Sequence, residues 1–204
     1  SLHTELLNFP EGGPFFSLDT VNAVTGIPLR AIAEPVLTYN LILICCIAAA
    51  AVAGALLTRI ISDDPWIPAL GGIGFAFSAW TLCIPLASGV SETAVMWPDP
   101  LIILCAIHTW KNTGWKAPIG GGLLLALQGV ACWSHGITAG LMLMGLFVAA
   151  HINSADHEWR NYPRLRRLMV MLCVALLCSA PLYLAISVTV SADDAVKARN
   201  LSIF

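Results

Sequence analysis

Charge is what this sequence has least of. Asp, Glu, Lys and Arg make up 11% of it, against about 25% in a typical soluble domain. Apolar residues make up 58%, and the mean hydropathy is +0.81. So few charges cannot coat a water-facing surface, which excludes an ordinary soluble domain. A basic excess is missing too: ten Lys and Arg stand against twelve Asp and Glu, for a net charge of -2 and a pI near 6.2. With nothing to neutralise a phosphate backbone, nucleic acid is not expected as a partner. The sequence has no CxxC pair and no Cys/His ligand spacing. Its seven cysteines all fall inside apolar runs, where free cysteine behaves as a small packing residue. P-loops, GxGxxG turns and fixed-period repeats are also missing. The chain opens on Ser1 without a signal-peptide pattern and stops at Phe204 soon after a polar stretch. It is therefore expected to be a piece of a longer protein, with further membrane helices on both sides.

What is abundant is apolar sequence in runs of the length needed to cross a bilayer, about 20 residues of helix. Residues 36–57 form the cleanest run, stopping at Arg59. Residues 66–86 are the second, and 92–110 the third, interrupted by Pro98, Asp99 and Pro100. Residues 118–152 are too long for one crossing and carry Trp133, Ser134, His135 and Gly136 in the middle, so they are expected to split into two helices turning there. Residues 168–190 are the last. The expected fold class is all-α: a polytopic transmembrane helix bundle of about six spans. Residues 1–35 are its extracytoplasmic loop, 36–190 the transmembrane domain, and 191–204 the start of the next extracytoplasmic segment. Pro10, Gly12, Gly13 and Pro14 break any helix early in the loop. Leu18, Val21, Val24 and Ile27 then recur at helical spacing, which predicts a short amphipathic helix over 18–29 lying along the membrane surface. Ala48 to Ala51, Gly54, Gly71, Gly72, Gly74, Gly120 to Gly122, Gly136 and Gly140 are expected to let helices approach closely, as packing in lipid requires.

Positive charge sets the orientation, because Lys and Arg of short loops stay on the cytoplasmic side. With residues 1–35 outside, the inner loops hold Arg59, Lys111, Lys116, Arg160, Arg164, Arg166 and Arg167, against Arg30, Lys197 and Arg199 outside. The same assignment gathers Glu5, Glu11, Asp19, Glu34, Glu92, His135, Asp193 and Asp194 on the outer face.

Several short motifs occur in a telling order. Asn8-Phe9-Pro10-Glu11-Gly12, Leu18-Asp19-Thr20-Val21-Asn22-Ala23 and Gly26-Ile27-Pro28-Leu29 precede Pro35-Val36 at a helix start. Gly74-Phe75-Ala76-Phe77-Ser78 follows in the next helix, and Gly89 to Trp97-Pro98 opens the one after. Over roughly residues 8–150 this order resembles the N-terminal half of bacterial polytopic membrane glycosyltransferases of the GT-C superfamily. The resemblance implies an enzyme of the bacterial inner (plasma) membrane. It would transfer a sugar from a polyprenyl-phosphate-linked donor at the extracytoplasmic face, with membrane lipids and that donor as partners. It also implies a catalytic or metal-associated acid in the outer loop, so a divalent metal is the one cofactor it brings into view. Glu5, Glu11 and Asp19 are the acids present; there is no DxD or ExD pair, and a position upstream of Ser1 is the other place for the acid.

Such chemistry needs a carboxylate to take a proton from the acceptor hydroxyl while the phosphate-linked sugar leaves with oxocarbenium character. Asp19 and Glu11 are the catalytic candidates. Each has a plainer role open to it: Asp19 as a charge favouring the start of the helix behind it, Glu11 as a turn residue in Pro-Glu-Gly-Gly. Glu92, Asp99, Trp133 and His135 are the substrate-binding candidates. An ionisable group inside a span costs about 2.5–3.5 kcal/mol on insertion scales and is a functional candidate by default. Asp99 meets that description, and with Pro100 behind it is equally a candidate N-cap. His135 reads either as a hydrogen-bonded residue at a turn or as a contact to phosphate or sugar, with Trp133 stacking beside it. His151, Asp156, His157 and Glu158 have no compact metal spacing, so no metal site is expected there. The Arg cluster at 160–167 reads as a topology determinant, with anionic-lipid contact secondary. Two other functions remain in play: a transporter, which calls for discontinuous helices and polar groups near the midplane, and a non-catalytic assembly subunit, which needs no clustered acids.

Overall fold

A computed structural model describes residues 3–4, 13–14, 20–78, 81–83, 94–111, 114–152 and 162–201. Seven helices make up nearly all of the described chain: α1 (Thr20–Arg30), α2 (Pro35–Thr58), α3 (Trp66–Ala76), α4 (Pro98–Lys111), α5 (Lys116–Ala131), α6 (Trp133–Ile152) and α7 (Tyr162–Leu201). Ahead of them, two residues of β1 (His3–Thr4) pair antiparallel with two of β2 (Gly13–Pro14).

Proline and apolar continuity explain α2. Glu34 is extended, Pro35 supplies the fixed φ of a first turn, and the apolar run carries the helix to Thr58, next to Arg59. Both ends fall within one residue of the expected 36–57. Among the described residues α2 alone combines the length and the hydropathy of a membrane crossing, 24 residues with a mean hydropathy of 2.6 in its most apolar window; Trp66–Ala76 and Ser134–Ala149 are apolar but shorter.

The other elements depart from expectation in informative ways. The run at 66–86 does not form one helix: α3 stops at Ala76, and Phe77 leaves helical geometry. The Ser78 and Thr81 hydroxyls then lie 3.0 Å apart, and Ser78 Oγ also accepts the Thr81 N–H, a local alternative to the helical ladder. The turn expected at 133–136 falls earlier, at Cys132, whose backbone is extended. Trp133 and His135 therefore belong to the first turn of α6. The expected 168–190 lies inside the 40-residue α7, which accommodates Pro181. In α1 the apolar stripe is not one buried face. Asn22 and Gly26 are buried and Val21 half-buried, while Val24 and Ile27 point outward.

Contacts fix the direction of every helix. Gly26 of α1 faces Ile42 and Thr38 of α2, and the Cys46 thiol donates to Asn22 Oδ1 at 3.6 Å, so α1 folds back along the start of α2. α3 runs antiparallel to α2: Gly71 faces Thr58 near the α2 terminus, and Phe75 faces Gly54 further in. A Cβ at Gly72 would stand 2.5 Å from the Ala51 carbonyl oxygen, so only glycine permits that approach. α5 is antiparallel to α4, pairing Gly121 with Cys105 and Gln128 with Val95. It is parallel to α7, pairing Gly122 with Met171 and Val174, and Gly129 with Tyr183. Not every small residue serves this way, since Gly74, Gly120 and Gly140 have open space around their Cα. The helices thus alternate up and down between two ends. One end, here the α1 end, gathers α1, residues 94–97 and the α5–α6 break. The other, the arginine end, gathers the α2 and α4 C-termini with the α5 and α7 N-termini.

Candidate functional site

The site begins where α4 does. Residues 94–97 form a non-helical lead-in whose Ala94 and Val95 pack with Leu43 and Cys46 of α2 and Ala131 of α5. Gln128 of α5, wholly buried, donates Nε2 to the Val95 carbonyl at 2.8 Å. Val95, Pro98 and Pro100 are fully buried as well, so α4 starts inside the bundle. Its 14 residues span about 21 Å.

Asp99 follows at once, in the first helical turn. The cap reading is corrected here: the helix already begins at Pro98, and Asp99 Oδ1 is buried with no hydrogen-bond partner. The carboxyl instead lines a cavity of about 610 Å³ between α3, α4 and α6. That volume lies in the range of small-molecule sites, about 300–1,000 Å³. Ser134, His135 and Thr138 of α6 form the polar part of the wall opposite; Phe75, Met96, Ile102, Ile103, Ala139 and Met142 form the apolar remainder. Thr138 already spends its hydroxyl on the Ser134 carbonyl at 2.8 Å, and Ser134 Oγ lies 3.2 Å from the Cys132 thiol. Among the described residues no Lys or Arg lines the cavity.

Of the six residues singled out from the sequence, the structure brings Asp99 and His135 to this one cavity. Trp133 lies in α6 two residues before His135, with its side chain outside the described residues. Asp19, Glu11 and Glu92 lie outside them too, as does Glu5. Gln128 and Thr138 went unnoticed in the sequence. Gln128 carried a signal, being the one amide in a long apolar stretch, where a polar side chain needs a partner. Thr138 carried none. Among the described residues the cavity offers one carboxylate and one imidazole, and no three His, Cys, Asp or Glu side chains gather as a ligand set.

The arginine end has different chemistry. The Arg164 guanidinium lies 5.4 Å from the centre of the Trp110 ring, and that of Arg166 5.6 Å from Trp115. Trp110 meets Phe147 edge to face at 5.7 Å. Arg167 is buried and donates Nε to the Thr109 carbonyl at 3.3 Å.

Comparison of the chain with protein-family models, with curated proteins and with solved structures finds no match. The chemistry of the cavity is therefore the ground on which function is argued.

Proposed function

We propose that this chain is a glycosyltransferase-like, multi-pass protein of the bacterial inner membrane that moves a sugar from a polyprenyl-phosphate-linked donor at the extracytoplasmic face. The observation that carries the reading is the amphiphilic cavity: the Asp99 carboxyl, with its orphaned oxygen, and Ser134, His135 and Thr138 on walls that are apolar elsewhere. A substrate with a long hydrocarbon chain and a polar reacting end suits such a lining. In this reading α2 to α7 make the six crossings and the α1 end faces outside. Two further facts support it. The cations Arg59, Lys111, Lys116, Arg164, Arg166 and Arg167 all belong to the opposite end, as retention on the cytoplasmic side requires. The outward faces are also apolar, with Ile44 and Val52 each 61% exposed, Leu176 69% and Leu177 74%, far more than a soluble monomer leaves uncovered.

Asp99 and His135 hold the substrate, and Asp19 or Glu11 of the outer loop takes the acceptor's proton. A positioned base contributes about 10²–10⁴-fold in rate. The test uses purified protein in lipid nanodiscs with a radiolabelled polyprenyl-phosphate sugar and a membrane-extract acceptor. Asp19→Asn should lower transfer at least about 100-fold at unchanged folded yield; full activity in both Asp19→Asn and Glu11→Gln would remove the outer-loop base. A transporter remains the second reading because α3 and α4, at 11 and 14 residues, are short for a crossing of about 30 Å. Uptake of substrate into sealed vesicles without any transfer product would favour it.

A further inference from the structure

From the Asp99 cavity we infer that this site binds the hydroxyl-bearing end of an amphiphile, the acceptor, and not the phosphate of the lipid-linked donor. Among the described residues three buried polar atoms lack partners: Asp99 Oδ1, Thr109 Oγ1 and Gln128 Oε1. Only Asp99 lines one of the cavities described, since Thr109 lies beneath Arg167 and Gln128 behind Val95. A carboxyl oxygen in want of a partner needs a donor, and the residue that carries it lines the cavity. A hydroxyl supplies a donor. A phosphate brings mainly acceptor oxygens, and among the described residues it meets no Lys or Arg on these walls. Of the cations that bind phosphate as a charge or a fork, Arg59, Lys111, Lys116, Arg164, Arg166 and Arg167 are gathered at the other end; Lys197 and Arg199 lie near the end of α7, outside the described lining, and Arg30 turns Nη1 to the Ala33 carbonyl at 3.4 Å. The rest of the lining, Ile102, Ile103 and Met142 among it, suits a hydrocarbon chain. The hydroxyl thus sits on the carboxyl with its chain between α3 and α6. This assignment rests on the transferase reading for the role of the hydroxyl as acceptor, but not for its binding.

The experiment compares three C20 probes on the unaltered protein in phosphatidylcholine nanodiscs: a prenyl alcohol, its monophosphate, and the corresponding hydrocarbon. Each competes with a diazirine-bearing prenyl alcohol whose cross-links are mapped by mass spectrometry. The expected result is cross-linking around Met96 and Met142, with the alcohol displacing the label at least about tenfold better than either competitor, the scale of satisfying one buried acceptor. Asp99→Leu should abolish the advantage of the alcohol over the hydrocarbon. Asp99→Asn, which adds an N–H donor, should raise phosphate affinity relative to alcohol. Equal or better competition by the monophosphate, or cross-links confined to other helices, overturns the inference without needing any variant to fold. Failure of the transferase reading looks different: the alcohol preference persists while no sugar is transferred.

Discussion

The two ends of this bundle solve the problem of buried polarity in opposite ways. At the arginine end charge is abundant and provided for: two guanidinium groups lie over tryptophan rings and a third donates to a carbonyl. At the α1 end the Asp99 carboxyl lines a cavity that has no Lys or Arg among its described residues, and one of its oxygens has no hydrogen-bond partner. The first arrangement anchors. The second is poised to receive something, because a buried acceptor without a donor costs about 1–3 kcal/mol and a ligand that supplies the donor recovers it.

The sharpest way to break this contrast is to ask which end faces the cell exterior. Single cysteines at Ser17 and Ser154 in a cysteine-free background, labelled in intact cells with an impermeant reagent, should give an all-or-none answer: Ser17→Cys reacts and Ser154→Cys does not. The reverse pattern would invert the topology and place the orphaned carboxyl on the cytoplasmic side. Next in size is a test of the frame that both ends share. A Cβ at Gly122 would lie 2.5 Å from the Met171 carbonyl oxygen, so Gly122→Leu should cost about 1–3 kcal/mol or more, seen as a lowered midpoint of thermal unfolding in detergent. Gly74→Ala, with nothing within 4 Å, should leave that midpoint unchanged or slightly raised.

A matched pair sharpens the comparison further. Gln128→Leu near the α1 end and Arg167→Met at the arginine end each remove a side-chain donor to a carbonyl, and each should destabilise by about 1–3 kcal/mol. Only Gln128→Leu should also weaken prenyl-alcohol binding, because it frees the lead-in to Asp99; equal weakening by Arg167→Met would mean that the ends are not separable. The smallest effect is expected from Arg166→Gln. Loss of one exposed guanidinium–indole contact is worth about 0.5–1 kcal/mol, readable as a small drop in unfolding midpoint with transfer activity intact.

Much of the helical layout was legible because its punctuation is chemical. Pro35 and Arg59 bracket α2, and the polar group around Ser134 and His135 marks the division between α5 and α6, only displaced to Cys132. The end of α3 was not legible. Hydropathy measures what a residue prefers to be near, not whether its backbone is helical, and residues 66–86 are apolar on both sides of the stop at Ala76. Asp99 illustrates a different difficulty. Pro-Asp-Pro satisfies the rules for a cap as well as those for a cavity residue, and one residue of offset in the helix start decides between them. Its convergence with His135 could be anticipated only at the level of which membrane face each belongs to; the third wall, with Phe75, depends on how far α3 reaches.

The bond from Gln128 to Val95 bears on traffic. It pins the lead-in of α4 to α5, and the same strip is packed against α2, so the back of the Asp99 cavity is held from two directions and cannot swing open as a unit. The front, between the apolar side chains of Phe75 in α3 and Met142 in α6, has no such hydrogen bond among the described residues. If the bundle spans a membrane as proposed, an incoming chain would enter sideways between α3 and α6, and its tail would never have to pass through water.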